Sequence, residues 1–313
     1  MAKRPANKRP PVSSQKPTPA KGGRPAGLFT WLAVGLVVVV VVALVIVKVM
    51  SGSPTTTNSS GFQPISPTVQ SELTTIPATV FNTVGVTSPV APVNPPTPLK
   101  NQPALTDTSS TGATLPEVLY VGAEYCPFCA AQRWPTIIAL SRFGTFTGLG
   151  NMTSSSIDSF PNTPTFTFVK AKYSSKYLVF KSVEEYTNIS DAATDFYTPL
   201  QKATAAETAN FKKYDTSTYI PGETSEEDGS IPYITMGNEF LVSGASYTPA
   251  TLQNLSRNTI AAGLDDATNP VTQAIITSAN YQTAALCQLT KNQPSNVCTS
   301  AGVMAAKKVM GLK

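Results

Sequence analysis

Two cysteines with two residues between them, Cys126 and Cys129, are the residues best spaced to do chemistry. Ahead of them Val118-Leu119-Tyr120-Val121 is an unbroken run of β-formers, as a buried strand requires. After them Ala130-Ala131-Gln132-Arg133-Trp134 is compatible with helix, and Pro127 falls in a first helical turn, where proline forfeits no hydrogen bond. The pattern predicts strand, turn, helix, with the Cys126 sulfur at the helix N-terminus. There, free N–H groups and the macrodipole favour thiolate over thiol. A second thiol one turn later, at Cys129, can attack a mixed disulfide formed by the first, so the expected chemistry is thiol–disulfide exchange. An inert structural disulfide and half of a zinc site use the same spacing. The zinc reading needs Cys287 and Cys298 as its second half, and the ten residues between them exceed the usual span of such a pair. No metal and no other cofactor is expected.

Composition narrows the classes. The 313 residues allow one or two domains, and the hydrophobic fraction of 41% allows a core. There is no histidine, which removes histidine triads, histidine metal sites and histidine proton shuttles. The net charge of +5 is misleading. Eight of the 23 basic residues lie in residues 1–50, which hold no acid; the rest of the chain has 15 bases against 18 acids. A nucleic-acid-binding body is therefore not expected.

Residues 1–27, rich in Lys, Arg, Pro and Gly, read as a disordered basic tail that signals topology. Leu28 to Met50 is a 23-residue apolar run, long enough to span a bilayer as a helix. Seven positive charges precede it; after Lys48, which can snorkel to the interface, no base follows until Lys100. The positive-inside rule puts the N-terminus in the cytoplasm and the remainder outside, on a single-pass cell-membrane anchor. A cleaved signal peptide is the alternative, with Ser51-Gly52-Ser53 as a cleavage site, but its apolar core would be shorter. Residues 51–69 read as a Ser/Thr/Pro-rich stalk, and 70–313 as the extracytoplasmic domain.

Within that domain, Leu73, Ile76, Val80, Phe81, Val84 and Val86 recur at helical spacing, and Pro89–Pro103 reads as an irregular connection. A helix is expected over Cys126–Phe143, kinked or restarted at Pro135. Thr165–Val169 and Tyr177–Lys181 read as strands paired through a turn at Ser174-Ser175. Ala192–Phe211 reads as one or two helices and Glu223–Gly229 as an acidic loop. Pro232–Met236 and Glu239–Ser243 form a hairpin around Gly237-Asn238. Pro249–Leu264, Val271–Leu289 and Val303–Met310 read as helices.

In Gly229-Ser230-Ile231-Pro232-Tyr233-Ile234 a proline starts a strand. This reads either as an edge-strand turn or as a cis Ile231–Pro232 bond beside the dithiol, which would offer the Ile231 backbone to an extended substrate and deny the site to a metal. Strand, Cys-x-x-Cys helix, then a distant Ile-Pro leading a hairpin and a C-terminal helix resembles the thioredoxin superfamily. Pro127-Phe128 is closer to glutaredoxin-like and disulfide-oxidase-like members than to thioredoxin's Gly-Pro. More specifically, Tyr120-Val121-Gly122-Ala123-Glu124-Tyr125-Cys126-Pro127-Phe128-Cys129-Ala130-Ala131-Gln132-Arg133-Trp134, followed by Leu140-Ser141-Arg142-Phe143-Gly144-Thr145-Phe146, resembles the domain of unknown function family 929, a family of membrane-anchored, thioredoxin-like proteins.

That resemblance implies an α/β fold with a central mixed sheet flanked by helices and a helical insertion, together with the N-terminal transmembrane helix. It implies Cys126 as attacking thiol, Cys129 as resolving thiol and Pro232 as the cis proline. Thioredoxin carries a carboxylate six residues before its first cysteine, and Tyr120 stands there in this chain. Glu124 is expected at an exposed strand end, either assisting resolution or as a solvated charge. Tyr125 and Phe128 read as an apolar docking surface or as ordinary packing, and Arg133 and Trp134 as packing plus a surface ion pair. Cys287 and Cys298 are expected to form a structural disulfide, with an electron relay as the alternative. Asn58, Asn151, Asn188 and Asn254 begin glycosylation sequons.

The expected function is a membrane-tethered thiol–disulfide oxidoreductase acting on exported proteins, with a membrane partner that reoxidises or reduces the dithiol. The oxidising compartment and the Pro127-Phe128 pair favour oxidation of substrates over reduction or isomerisation. The alternative is a surface-anchored binding or assembly domain whose disulfide is static.

Overall fold

The structure, a computed structural model, describes residues 61–88 and 92–313. The expected tail 1–27, span Leu28–Met50 and most of the stalk 51–69 lie outside the described residues. Among the described residues, no helix is long and apolar enough to cross a membrane. The described chain is mixed α/β, with a central mixed sheet and helices against it.

The sheet is organised around Thr114–Gly122, which contains the expected strand Val118–Val121. It pairs antiparallel with Tyr233–Met236, setting Val121 opposite Tyr233. It also pairs parallel with Val179–Glu184, setting Gly122 beside Glu184. The hairpin continues into Phe240–Ser243, and Thr97–Pro98 extends the sheet beyond it. Both Gly237 and Asn238 have positive φ, the backbone a two-residue hairpin turn needs.

Period-two alternation sorts the side chains into layers. Val118, Tyr120, Ile234 and Met236 pack on one face with Trp134, Ile137 and Ile138 of the helix Pro127–Ser141 and with Ile275 and Ala279 of the helix Pro270–Leu289. Leu119, Val121, Tyr233 and Leu241 pack on the other face with Tyr214, the last residue of the helix Ala205–Tyr214, and Ile220. At the N-terminal end, Gln63–Pro64 pairs with Gly150–Asn151, and Pro67–Thr74 buries Val69 and Leu73. Among the described residues, secondary structure thus begins at Gln63, a few residues before position 70.

Several expectations need correction. Helix Pro127–Ser141 continues through Pro135 and does not restart there. Proline leaves the carbonyl four residues back without its helical donor, and here the Tyr247 hydroxyl donates to the Ala131 oxygen at 2.8 Å. Pro164–Thr167 does not pair with the segment after Tyr177. It pairs with Gly150–Thr153, while Lys172–Ser175, where a turn was expected, pairs with Gly144–Thr147. Short Thr/Phe-rich runs suit a strand but carry no mark of their partner.

The stretch expected as helix from Ala192 opens as a strand, Phe196–Pro199, paired with Tyr186–Asp191. Helix begins only at Ala205, after a capping box between Thr204 and Glu207. Pro249–Leu264 is two pieces, a 3-10 turn Pro249–Leu252 and a helix Arg257–Ala262 capped by Ser256. Cys287 and Cys298 are disulfide-bonded, as expected, with Cα atoms 5.6 Å apart and both residues wholly buried.

Candidate active site around Cys126 and Cys129

The central strand delivers the chain to Gly122, and Ala123-Glu124-Tyr125 turns it into the helix. Cys126 is the helix N-cap, with extended backbone angles (φ −73°, ψ 121°). Its N–H donates to the Ala123 carbonyl at 3.3 Å, and its own carbonyl accepts the first helical bond from Ala130 at 3.0 Å. The sulfur takes the role that a serine or aspartate oxygen has at other caps. It accepts the Cys129 N–H at 3.2 Å, and as a thiol it donates to the Ile231 carbonyl at 3.6 Å. The Ile231–Pro232 bond is cis, and Pro232 is buried at the start of the neighbouring strand. Cys126, Cys129, Ile231 and Pro232, more than 100 residues apart in sequence, are therefore gathered at one sheet end.

The two sulfurs, unbonded to each other, differ in environment. Cys126 is 5% exposed and Cys129 is fully enclosed. Burial opposes the Cys126 thiolate, but hydrogen bonds from the Cys129 thiol and N–H, the Arg133 charge and the Phe128 N–H together hold its thiol below the usual cysteine range. Burial pushes the Cys129 thiol well up, and its hydrogen bond to Cys126 and the negative charge there push it further. The two thiols are thus split, one held more acidic than usual and one held protonated, with the more acidic sulfur at the solvent edge.

Beneath them lies a polar cluster not expected from the sequence. Arg133, assigned above to a surface ion pair, is wholly buried. Its Nε donates to Glu184 Oε1 at 2.9 Å, and Nη2 donates to Glu184 Oε2 and to the Ala123 carbonyl, the latter at 2.8 Å. The guanidinium sits 5.6 Å from the centre of the Tyr120 ring. Arg133 Nη1 and the Tyr120 hydroxyl have no hydrogen-bond partner, although both are buried. The missed signal was spacing, since 126, 129 and 133 share a helix face. Glu184, from the parallel strand, left no local trace.

Glu124 is also not exposed as expected. It is 5% accessible, covered where its N–H meets the Tyr186 carbonyl at 2.9 Å. Burial pushes its carboxyl up to about 7; Glu184 adds to the rise, and Thr167 and Arg133 oppose it. Trp134 is packing, with its indole N–H on the Pro164 carbonyl at 2.9 Å.

The apolar residues divide. Tyr125 stacks on Tyr197 (centroids 4.1 Å, 4° apart) and meets Phe196 edge-on at 5.5 Å. Phe128, one residue before Cys129, is 40% exposed and leans edge-on against Phe160 at 5.7 Å. Of the sequons, Asn58 lies outside the described residues. Asn151 and Asn188 direct their amides at the carbonyls of Pro64 and Thr153, and Asn254 is exposed. Among the described residues, no three His, Cys, Asp or Glu side chains gather closely enough to hold a metal ion.

No curated protein and no solved structure matches this chain. A family match covers residues 105–288, from just before the central strand through the dithiol, Glu184 and Pro232 to Cys287. On that match the chain belongs to the family described as Domain of unknown function (DUF929).

Proposed function

We propose that this chain is a thiol–disulfide oxidoreductase on a thioredoxin-like fold, tethered to the cell membrane by residues 28–50 with its domain outside. The observation that carries the reading is the Cys126 sulfur at the helix N-cap, accepting the Cys129 N–H at 3.2 Å. A sulfur held there is stabilised as thiolate and can enter and leave disulfides. Attack on a substrate disulfide forms a mixed disulfide through Cys126 and releases one substrate thiolate. Cys129, once deprotonated, displaces the second and closes the Cys126–Cys129 bond. The same steps run backwards oxidise a substrate dithiol.

The basic residues before Leu28 and the apolar run after them support the tether and its direction. A domain held there meets exported chains and a membrane partner able to reset the dithiol. The near-complete burial of the pair favours a second reading, a binding or assembly domain with a static disulfide. Replacing Cys129 by Ser separates them. An exchanging protein then accumulates adducts on Cys126 that dithiothreitol releases on a non-reducing gel. No adducts, with a wild-type Cys126–Cys129 bond that resists dithiothreitol, favours the static domain.

A further inference from the structure

Cys126, Cys129 and Arg133 stand at i, i+3 and i+7 on one helix, so the guanidinium lies behind both sulfurs. It is held by three hydrogen bonds to two partners. Glu184 grips it through two donors, and the Ala123 carbonyl that accepts from Nη2 also accepts the Cys126 N–H. Its remaining donor group, Nη1, has no partner, and neither does the hydroxyl of Tyr120, whose ring centre lies 5.6 Å from the guanidinium. A buried ion pair adds little to stability over apolar residues of the same volume. What it provides here is a fixed positive charge in a low-dielectric site, where charge acts more strongly than in water.

We infer that Arg133 is a positioning residue of the exchange reaction: its fixed charge stabilises the reduced pair and so drives the equilibrium towards oxidation of substrate thiols. The inference rests on the exchange chemistry proposed above and adds its direction. A substrate thiolate attacks Cys126 of the protein disulfide. The Cys126–Cys129 bond breaks, and Cys129 leaves as a thiolate beside Arg133. The second substrate thiolate then attacks the substrate sulfur of the mixed disulfide, and Cys126 leaves as the capped thiolate. The substrate has lost two electrons and the protein pair has gained them. Of the two substrate protons, one comes to rest on Cys129 and the other goes to solvent. A better-stabilised thiolate leaves faster and lies lower at equilibrium. Arg133 opposes the rise of the Cys129 thiol and helps depress that of Cys126.

The test equilibrates the full chain with mixtures of reduced and oxidised glutathione, followed by acid quench, alkylation and mass measurement. Thiolate ultraviolet absorbance gives the Cys126 titration in parallel. In R133M/E184M, which removes the pair together, the equilibrium is expected to move about tenfold towards oxidised protein, equal to ~30 mV, and the Cys126 midpoint to rise by about one pH unit. R133K, which keeps the charge, stays within about threefold of wild type. E184Q leaves the guanidinium unneutralised and moves both readouts the opposite way. A folded R133M/E184M within about twofold of wild type on both readouts overturns the inference. If that variant does not fold, E184Q decides, and no shift or a shift of the wrong sign overturns it. Wild type that never exchanges with glutathione removes the exchange reading itself, a result distinct from equal exchange by wild type and variant.

Discussion

Cys287 and Cys298 are bonded across the end of the helix Pro270–Leu289, wholly buried within the main hydrophobic cluster. Cys126 and Cys129 are unbonded, almost as deeply buried, and set against a helix N-terminus with a guanidinium behind them. Burial does not separate the two pairs. The neighbourhood does: donors and a cation favour the thiolate of Cys126, whereas apolar packing surrounds Cys287 and Cys298.

The largest expected difference is in chemistry. C126S is expected to reduce exchange by at least ~10³-fold, since no other sulfur occupies the cap. C287S/C298S is expected to change exchange by less than about threefold, because its bond takes no part in the reaction. Initial rates with a model disulfide measure both. A large loss in the second variant would make that pair an electron relay and erase the contrast.

Stability is expected to respond with opposite signs. Closing an 11-residue separation stabilises by roughly 2–3 kcal/mol in the chain-entropy picture, so C287S/C298S should melt about 5–10 °C lower. Reducing Cys126–Cys129 in wild type should raise the melting temperature instead, because the cap and Arg133 favour the reduced state. Calorimetry of oxidised and reduced protein gives both signs.

A smaller effect sharpens the comparison through pH. Burial raises the Glu124 carboxyl from 4.5 in the unfolded chain to about 7 in the fold. The folded state therefore holds a proton that the unfolded state has released. The stabilisation is complete below pH 4.5 and is lost as pH rises through about 7. E124Q should remove about 1–3 kcal/mol of that pH dependence, read from denaturant midpoints at several pH values, and C287S/C298S should leave the slope unchanged. The smallest effect is at Tyr120. Y120F deletes a buried hydroxyl without a partner and should be neutral or stabilising by about 1 kcal/mol. A loss of that size would show that the hydroxyl has a partner in solution.

What the sequence revealed follows the range of the interactions. The strand Val118–Val121, the cap at Cys126, the Gly237-Asn238 turn and the helix from residue 270 rest on neighbours a few positions apart, and all are present. The Ile-Pro before a strand was enough to suggest a cis bond. Most of the misreadings were non-local. The partner of Pro164–Thr167 depends on packing under the helix, where the Thr165 hydroxyl donates to the Ala130 carbonyl at 2.8 Å. Arg133 reads as a surface residue until Glu184, 51 positions later, arrives on the parallel strand. Glu124 reads as exposed until the Tyr186–Asp191 and Phe196–Pro199 hairpin is known to fold beside it. In the stretch expected as helix, Phe196 and Tyr197 were the β-forming residues to weigh, and Thr204 with Glu207 marked the true helix start.

The most direct test asks whether the two pairs part company under one redox titration. The full chain is equilibrated across glutathione ratios, quenched, alkylated and mapped by peptide mass. Cys126 and Cys129 are expected to pass reversibly from bonded to free within the range while Cys287–Cys298 stays bonded throughout. A Cys126–Cys129 pair that remains in one state across the whole range, or that opens only together with Cys287–Cys298, would contradict it.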